Sequence, residues 1–251
     1  MSFFQSVTIA CNEVEWIEAT LRNLEPLLDR IICVEGAAHG DGLGHGDGRK
    51  LTGGSVSSTD GTVELLKRLE REMPKLRVIF PPAGGWGGKT NMFLASLAHC
   101  EPGWILQKDV DEIWWPDQFE NLKAVVEDSE YTDCEFYMRH FWGSRAFHMK
   151  MNRDTWGNQL PWRRLFRYDG TRTWLSHEPP RMSGDEILFS MEETRALGCV
   201  PMHYSYSDIG QLRKKERFYG VDLVPVIEQW RRNPQSVPKN ADLTEYLGPH
   251  P

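Results

Sequence analysis

Between Ser6 and Lys108 the chain alternates short apolar runs with helix-like segments, and this rhythm limits the possible folds more than any other feature. Ser6-Val7-Thr8-Ile9-Ala10, Ile31-Ile32-Cys33-Val34-Glu35, Leu76-Arg77-Val78-Ile79-Phe80 and Trp104-Ile105-Leu106-Gln107-Lys108 read as strands. The intervening segments read as helices from Glu13 to about Leu28, from the Ser58–Thr62 turn to about Glu72, and from Thr90 to Cys100. Asn12 is placed to cap the first helix, and Trp16, Ile17, Leu21, Leu24 and Leu28 share one face of it. Strands linked by helical crossovers pair in parallel, with helices on both sheet faces. The expected class is therefore α/β.

The pattern changes near residues 115–130. Pro116 to Glu127 reads as a helix, while Cys134–Phe141 and Leu160–Tyr168 read as antiparallel strands rich in aromatics and arginine. Asp169-Gly170 has the chemistry of a hairpin turn between Phe166 and Trp174. Two more helices are expected near Ile209–Phe218 and Leu223–Arg232. No linker-like segment separates the halves, so 1–251 is expected to be one domain of two halves, 1–115 and 116–251, the second ending in C-terminal helices.

Composition narrows the function classes. The net charge of −7 does not favour nucleic acid. No apolar run is long enough to span a membrane, and the first residues lack signal-peptide character. The five cysteines form no C-x-x-C pair, which argues for a reducing, cytoplasmic setting without disulfides or a zinc finger. Charge is nonetheless uneven. Arg139–Arg181 holds eight arginines and Lys150 against three acidic residues, interleaved with Trp142, Trp156, Trp162 and Trp174. This suggests an anionic acceptor or a diphosphate clamp; the alternative is a solvated face of an antiparallel ribbon.

Asp109-Val110-Asp111-Glu112 sits where the fourth strand ends, and ligands of open α/β sheets bind at such ends. Asp109 and Asp111 point the same way if the strand continues through them. Two hard oxygen ligands suit Mg²⁺ or Mn²⁺ held together with substrate phosphates; the alternative is a solvated acidic turn.

Seven landmarks in order resemble family-2 glycosyltransferases of the GT-A fold, most closely over residues 5–125. They are the Val7–Glu13 strand ending in Asn12-Glu13; Glu35-Gly36 closing the second strand; Ser58-Thr59-Asp60-Gly61-Thr62; Gly88-Lys89-Thr90-Asn91; Asp109-Val110-Asp111-Glu112; His177-Glu178; and His203-Tyr204. The family's acidic residue and S-T-D-G-T turn are normally close in sequence, whereas 22 residues separate Glu35 from Ser58 here.

The resemblance implies metal-dependent, inverting transfer of a sugar, hexosyl-like, from a nucleotide-diphosphate sugar to a glycan or other hydroxyl acceptor. It implies Asn12, Glu13, Glu35, Asp60, Lys89, Asn91 and Asp109 on the donor side, with Glu35 meeting the base or ribose. Asp111 and His203 are the implied metal ligands. Asp109 bonds ribose or a metal-bound water, or joins the ligands, and Glu112 orients its neighbours. The alternative for His203 is a half-buried strand-end histidine. Glu178 is the candidate base for the acceptor hydroxyl, with Asp185 as the alternative. A salt bridge to an arginine is the competing role for Glu178. Trp114 and Trp115 offer flat faces to a sugar or belong to the core.

Two other functions fit parts of the sequence. Ala83–Thr90 matches a relaxed phosphate-binding loop, with Ile105–Asp109 as its acidic strand, in a phosphotransferase or NTPase. A non-catalytic sugar-binding module on a transferase scaffold is the third reading. The glycine-rich segment 36–57, with His39, Asp41, His45 and Asp47, is expected to be a lid over the donor or a disordered loop.

Overall fold

A computed structural model describes residues 2–38, 55–142, 144–149 and 162–213, together with 225, 228–229, 232–233 and 243–245. The elements in chain order are β1 (Phe4–Ala10), α1 (Ile17–Asn23), β2 (Arg30–Glu35), α2 (Thr62–Glu72), β3 (Leu76–Ile79), α3 (Lys89–Leu97), β4 (Gly103–Gln107), β5 (Glu112–Ile113) and α4 (Pro116–Val126). They continue as β6 (Asp133–Phe136), β7 (Arg139–Trp142), β8 (Ser144–Met149), β9 (Trp162–Tyr168), β10 (Trp174–His177), β11 (Pro180–Met182), β12 (Leu188–Phe189), α5 (Met191–Ala196), β13 (Met202–Tyr206) and β14 (Leu243–Glu245). No helix among the described residues is long and apolar enough to cross a membrane.

The fold is mixed α/β. The main sheet has seven strands in the order β12-β6-β9-β4-β1-β2-β3. The pairs β3/β2, β2/β1 and β1/β4 are parallel, whereas β9 runs antiparallel to both β4 and β6. The alternation of the first third thus becomes the parallel part of the sheet, and the arginine-rich segment contributes the antiparallel strands. A second sheet has the order β14-β8-β7-β13-β5, and among the described residues β10 pairs with β11 alone.

Strands buried on both faces explain the continuous apolar runs. Phe4, Ala10, Ile31, Cys33, Trp104 and Leu106 pack in one core cluster with residues of α1, α2 and α4. The intervening residues Val7, Ile32, Val34 and Ile105 pack in another with Phe93 of α3 and Trp174 of β10. This is the two-residue period of strands, resolved into two cores.

Four expectations need correction. α1 begins only at Ile17, and Asn12 does not cap it, because Asn12 takes a left-handed backbone (φ 58°) and bonds the 58–59 segment instead. The expected strand over 134–141 is two strands in different sheets, β6 and β7, parted at Tyr137-Met138. Asp169-Gly170 is no β9–β10 hairpin: the Asp169 carboxylate accepts bonds from the Thr171 and Arg172 amides and turns the chain away from β9. β4 ends at Gln107, and the Glu112 amide bonds the Asp109 carbonyl at 3.1 Å, so Asp109 and Asp111 lie in a turn and not along a strand. Residues 209–213 are helical; most of the other expected C-terminal helix and residues 39–54 lie outside the described residues.

Candidate active site

Strand order reverses between β1 and β4: the chain steps outward from β1 to β2 and β3, then returns to β1's other side for β4. The crevice beyond the carboxyl ends of such a strand pair is the natural ligand site of an open α/β sheet. Here it receives the Asn12–Glu13 loop after β1, Glu35 at the end of β2, and Asp109–Glu112 after β4.

Arg164 of β9 organises the acidic turn. It is only 1% exposed, and its Nη2 lies 2.8 Å from Asp109 Oδ2 and 2.6 Å from Glu112 Oε1, with Nε 3.0 Å from the same Glu112 oxygen. Burial pushes the Glu112 carboxyl up to about 7, against the pull of Arg164. Burial also opposes ionisation of Asp109, yet Arg164 and then His177 outweigh it and hold that carboxyl below its ordinary value.

β13 closes the other side. It pairs with β5, setting His203 opposite Glu112. His203 Nε2 is 3.3 Å from Asp111 Oδ1, and Ser205, two residues on and on the same strand face, donates its hydroxyl to Asp111 Oδ2 at 2.8 Å. The Tyr204 amide fixes the Asp111 carbonyl at 2.9 Å. Burial alone would lower the His203 pKa, but Asp111 and then the neighbouring carboxylates raise it. The site attracts positive charge. His140 of β7 stands in register with His203, its ring centre 4.6 Å away, and both lie against Trp162.

The donor-side residues form a second group. Glu35 is fully buried; its Oε1 accepts the Ser58 amide at 2.6 Å, and its Oε2 has no hydrogen-bond partner. The Asn12 amide donates to Ser58 Oγ, and Asn12 Oδ1 accepts the Thr59 amide, both at 2.8 Å. Asp60 is exposed and spends its carboxylate on Thr62 and the Val14 amide, while the Glu13 amide bonds Thr62 Oγ1. The 58–62 turn therefore returns to the ends of β1 and β2 despite the long insertion. Lys89 opens α3; burial first, then its charge, presses His177 down to about 4. Asn91 is exposed and lies against Gly87.

No protein-family model and no curated protein matches the chain. Among solved structures it is similar to S. aureus TarS 1-349 in complex with UDP-GlcNAc, at 13% identity and TM-score 0.44 over 66% of this chain and 45% of that one. It is also similar to the mannosyltransferase PcManGT from Pyrobaculum calidifontis in complex with GDP-Man and Mn²⁺, at 19% identity and TM-score 0.40 over 55% of this chain and 36% of that one. A third likeness is glucosyl-3-phosphoglycerate synthase from Mycobacterium tuberculosis in complex with Mn²⁺, UDP and glucosyl-3-phosphoglycerate, at 20% identity and TM-score 0.39 over 55% of this chain and 44% of that one. The chain thus spans less than half the length of these three. At these identities and scores no residue's role rests on them.

Not every expected residue joins the site. His177 is buried and electrostatically coupled to Asp109, and Glu178 beside it is exposed in the turn from β10 to β11. Asp185 is not brought in. It is exposed, and its carbonyl accepts from Thr132, at the start of β6 and so toward the opposite end of the main sheet. Trp114 is core, 1% exposed and edge-on to Phe119 and Phe136. Part of the arginine surplus is neutralised within the fold: Arg163 pairs with Glu135 and Glu186, Arg172 with Asp133, and Arg181 with Glu186. The 83–90 loop brings Lys89 near His177, but its middle is not free to cradle phosphates. It follows β3, which β2 and β1 separate from β4, and Trp86 is buried with its indole nitrogen on the Glu35 carbonyl at 2.6 Å.

Sequence reasoning missed Arg164, His140 and Ser205. Ser205 had a legible signal, since it shares a strand face with His203. Arg164 had a weaker one, because three acids at one strand end require a nearby cation.

Proposed function

We propose that this chain transfers a sugar from a nucleotide-diphosphate sugar to an acceptor hydroxyl, with a divalent cation at Asp111 and His203. The observation that carries this reading is the Asp111 Oδ1–His203 Nε2 pair, 3.3 Å apart at the crevice between β1 and β4. Two cis ligands of a cation bound at about 2.1 Å stand about 3 Å apart.

The charges support a cation as well. Three acidic residues gather in this turn, and among the described residues Arg164 is the guanidinium paired with them, through Asp109 and Glu112. Glu112 belongs to a group with Asp109 and His203 whose ligand atoms lie within 4.8 Å of one another. Glu112, however, already gives one oxygen to Arg164 and accepts the Asp109 amide at 3.3 Å with the other, so it orients the turn. Asp111 and His203 hold the ion, and Asp109 bonds ribose or a metal-bound water. When bound, Mn²⁺ or Mg²⁺ would stabilise the charge that develops on the departing diphosphate.

The protein's own groups supply the rest. The unsatisfied Glu35 oxygen accepts an N–H of the base or a ribose hydroxyl, since a buried carboxylate oxygen without a partner is costly. Lys89, at the α3 N-terminus, faces the diphosphate. Glu178 takes the acceptor proton in an inverting displacement, from an exposed turn whose neighbour, His177, senses the Asp109 charge.

The test is calorimetry with UDP- and GDP-sugars in Mn²⁺ and in chelator. Donor binding should tighten at least tenfold with Mn²⁺, and Asp111→Ala and His203→Ala should abolish that gain. Equal affinity with and without metal would overturn the reading.

A further inference from the structure

We infer that Thr20 and Asn23 of α1 are positioning residues that set the geometry of the acidic turn from behind, although neither can reach a bound ion's ligands directly. This inference rests on the metal site proposed above.

Three successive stretches of the turn are tied to these two residues. Before it, Lys108 Nζ donates to the Thr20 carbonyl at 2.7 Å and to Asn23 Oδ1 at 3.0 Å. Within it, the Thr20 hydroxyl donates to the Val110 carbonyl, the residue between Asp109 and Asp111. After it, the Asn23 amide pairs with the Trp114 backbone in both directions: Trp114 N–H to Oδ1 at 2.8 Å, and Nδ2–H to the Trp114 carbonyl at 2.7 Å. Asn23 thereby imitates a strand neighbour for a segment that has none on that side.

Thr20 and Asn23 are three residues apart in α1 and so share one helix face. Thr20, Lys108, Val110 and Trp114 are buried and Asn23 is half-buried, so the Thr20 bonds in particular are made where water offers no substitute. The turn needs such a brace. β4 has ended at Gln107, and β5 has only two residues, so strand pairing alone fixes little of residues 108–111. A helix elsewhere in the core needs only apolar side chains at the positions of Thr20 and Asn23. Polar groups directed at one turn are explained by what that turn carries. Partners behind metal ligands commonly change metal affinity 10–100-fold.

Thr20→Val keeps shape and removes only the hydroxyl, so Mn²⁺ affinity, read from free Mn²⁺ by its EPR signal, should fall about tenfold or more. Thr20→Ser restores the hydroxyl and should retain wild-type affinity. Ile17→Val, on the same helix and fully buried in the core, is the stability control and should leave Mn²⁺ affinity unchanged. Asn23→Ala should weaken Mn²⁺ at least as much as Thr20→Val.

Wild-type affinity in folded Thr20→Val and Asn23→Ala would overturn the inference while leaving the metal site standing. Equal losses in Thr20→Val and Ile17→Val would reduce the brace to general stability and overturn it too. Failure of the wild-type protein to bind Mn²⁺ would overturn both this inference and the proposed function.

Discussion

Replacing Arg164 by Met tests how the site is built. The guanidinium is 1% exposed and makes three close contacts, two to Glu112, which is fully buried, and one to Asp109. Removing one partner of a buried ion pair typically costs about 3–5 kcal/mol, because the other charge is left uncompensated. Glu112 can escape part of that cost. Burial already lifts its carboxyl to about 7 with Arg164 present, so without Arg164 it is neutral at ordinary pH. We therefore expect a loss of about 3 kcal/mol, at the lower end of the range. For a chain of this size that is a fall in Tm of roughly 6–12 °C. Glu112→Gln alone should cost about 1–3 kcal/mol. The double variant should cost less than the two singles together, with a coupling of at least about 1 kcal/mol. Urea unfolding followed by tryptophan fluorescence measures all three. A loss below about 1 kcal/mol for Arg164→Met, or strict additivity, would refute the buried-clamp account.

Burial lowers Lys108 to about 7, with Glu112 opposing, so between that value and its unfolded pKa the unfolded chain binds more protons and stability rises with pH. Measured against Lys108→Met, in which the other titrating groups are shared, the wild type should gain about 2 kcal/mol from pH 7 to 8.5. Burial raises all five thiols, and only the unfolded chain loses those protons from about pH 8 upward, so both proteins should lose stability there; identical pH profiles for wild type and Lys108→Met in urea would contradict the Lys108 assignment. Glu178→Gln should slow turnover roughly 10²–10⁴-fold with donor affinity unchanged, and normal turnover would remove Glu178 as the base. Glu35→Gln should weaken nucleotide binding about tenfold or more in titration calorimetry, and unchanged affinity would place the base elsewhere.

The parallel half of the fold was legible because β1 to β4 are short, buried on both faces and bounded by turn chemistry, so period and punctuation agree. The split at Tyr137-Met138 was not, because neither glycine nor proline marks where the chain leaves one sheet for the other. The Asp169-Gly170 turn had the right residues for a hairpin, but the Asp169 carboxylate caps its own loop, a local choice that only three dimensions reveal. Within the site, Asp109, Asp111 and Glu35 could be named because each ends or follows a strand near the crevice, and His203, which lies inside β13, only through the family resemblance. Arg164 was hidden in an arginine-rich segment, where nothing in the sequence marks it as the guanidinium that pairs with Asp109 and Glu112. His140 was invisible because its pairing with His203 joins strands more than 60 residues apart in sequence, across a parallel register.

The central claim is that Asp111 and His203 jointly hold a divalent cation. Pulsed EPR of the protein with Mn²⁺ and a nucleoside diphosphate reads this directly. The account predicts a histidine ¹⁴N coupling on the manganese that disappears in His203→Gln and a bound-metal signal that is lost in Asp111→Ala. A manganese spectrum without nitrogen coupling, or one unchanged in both variants, would contradict it.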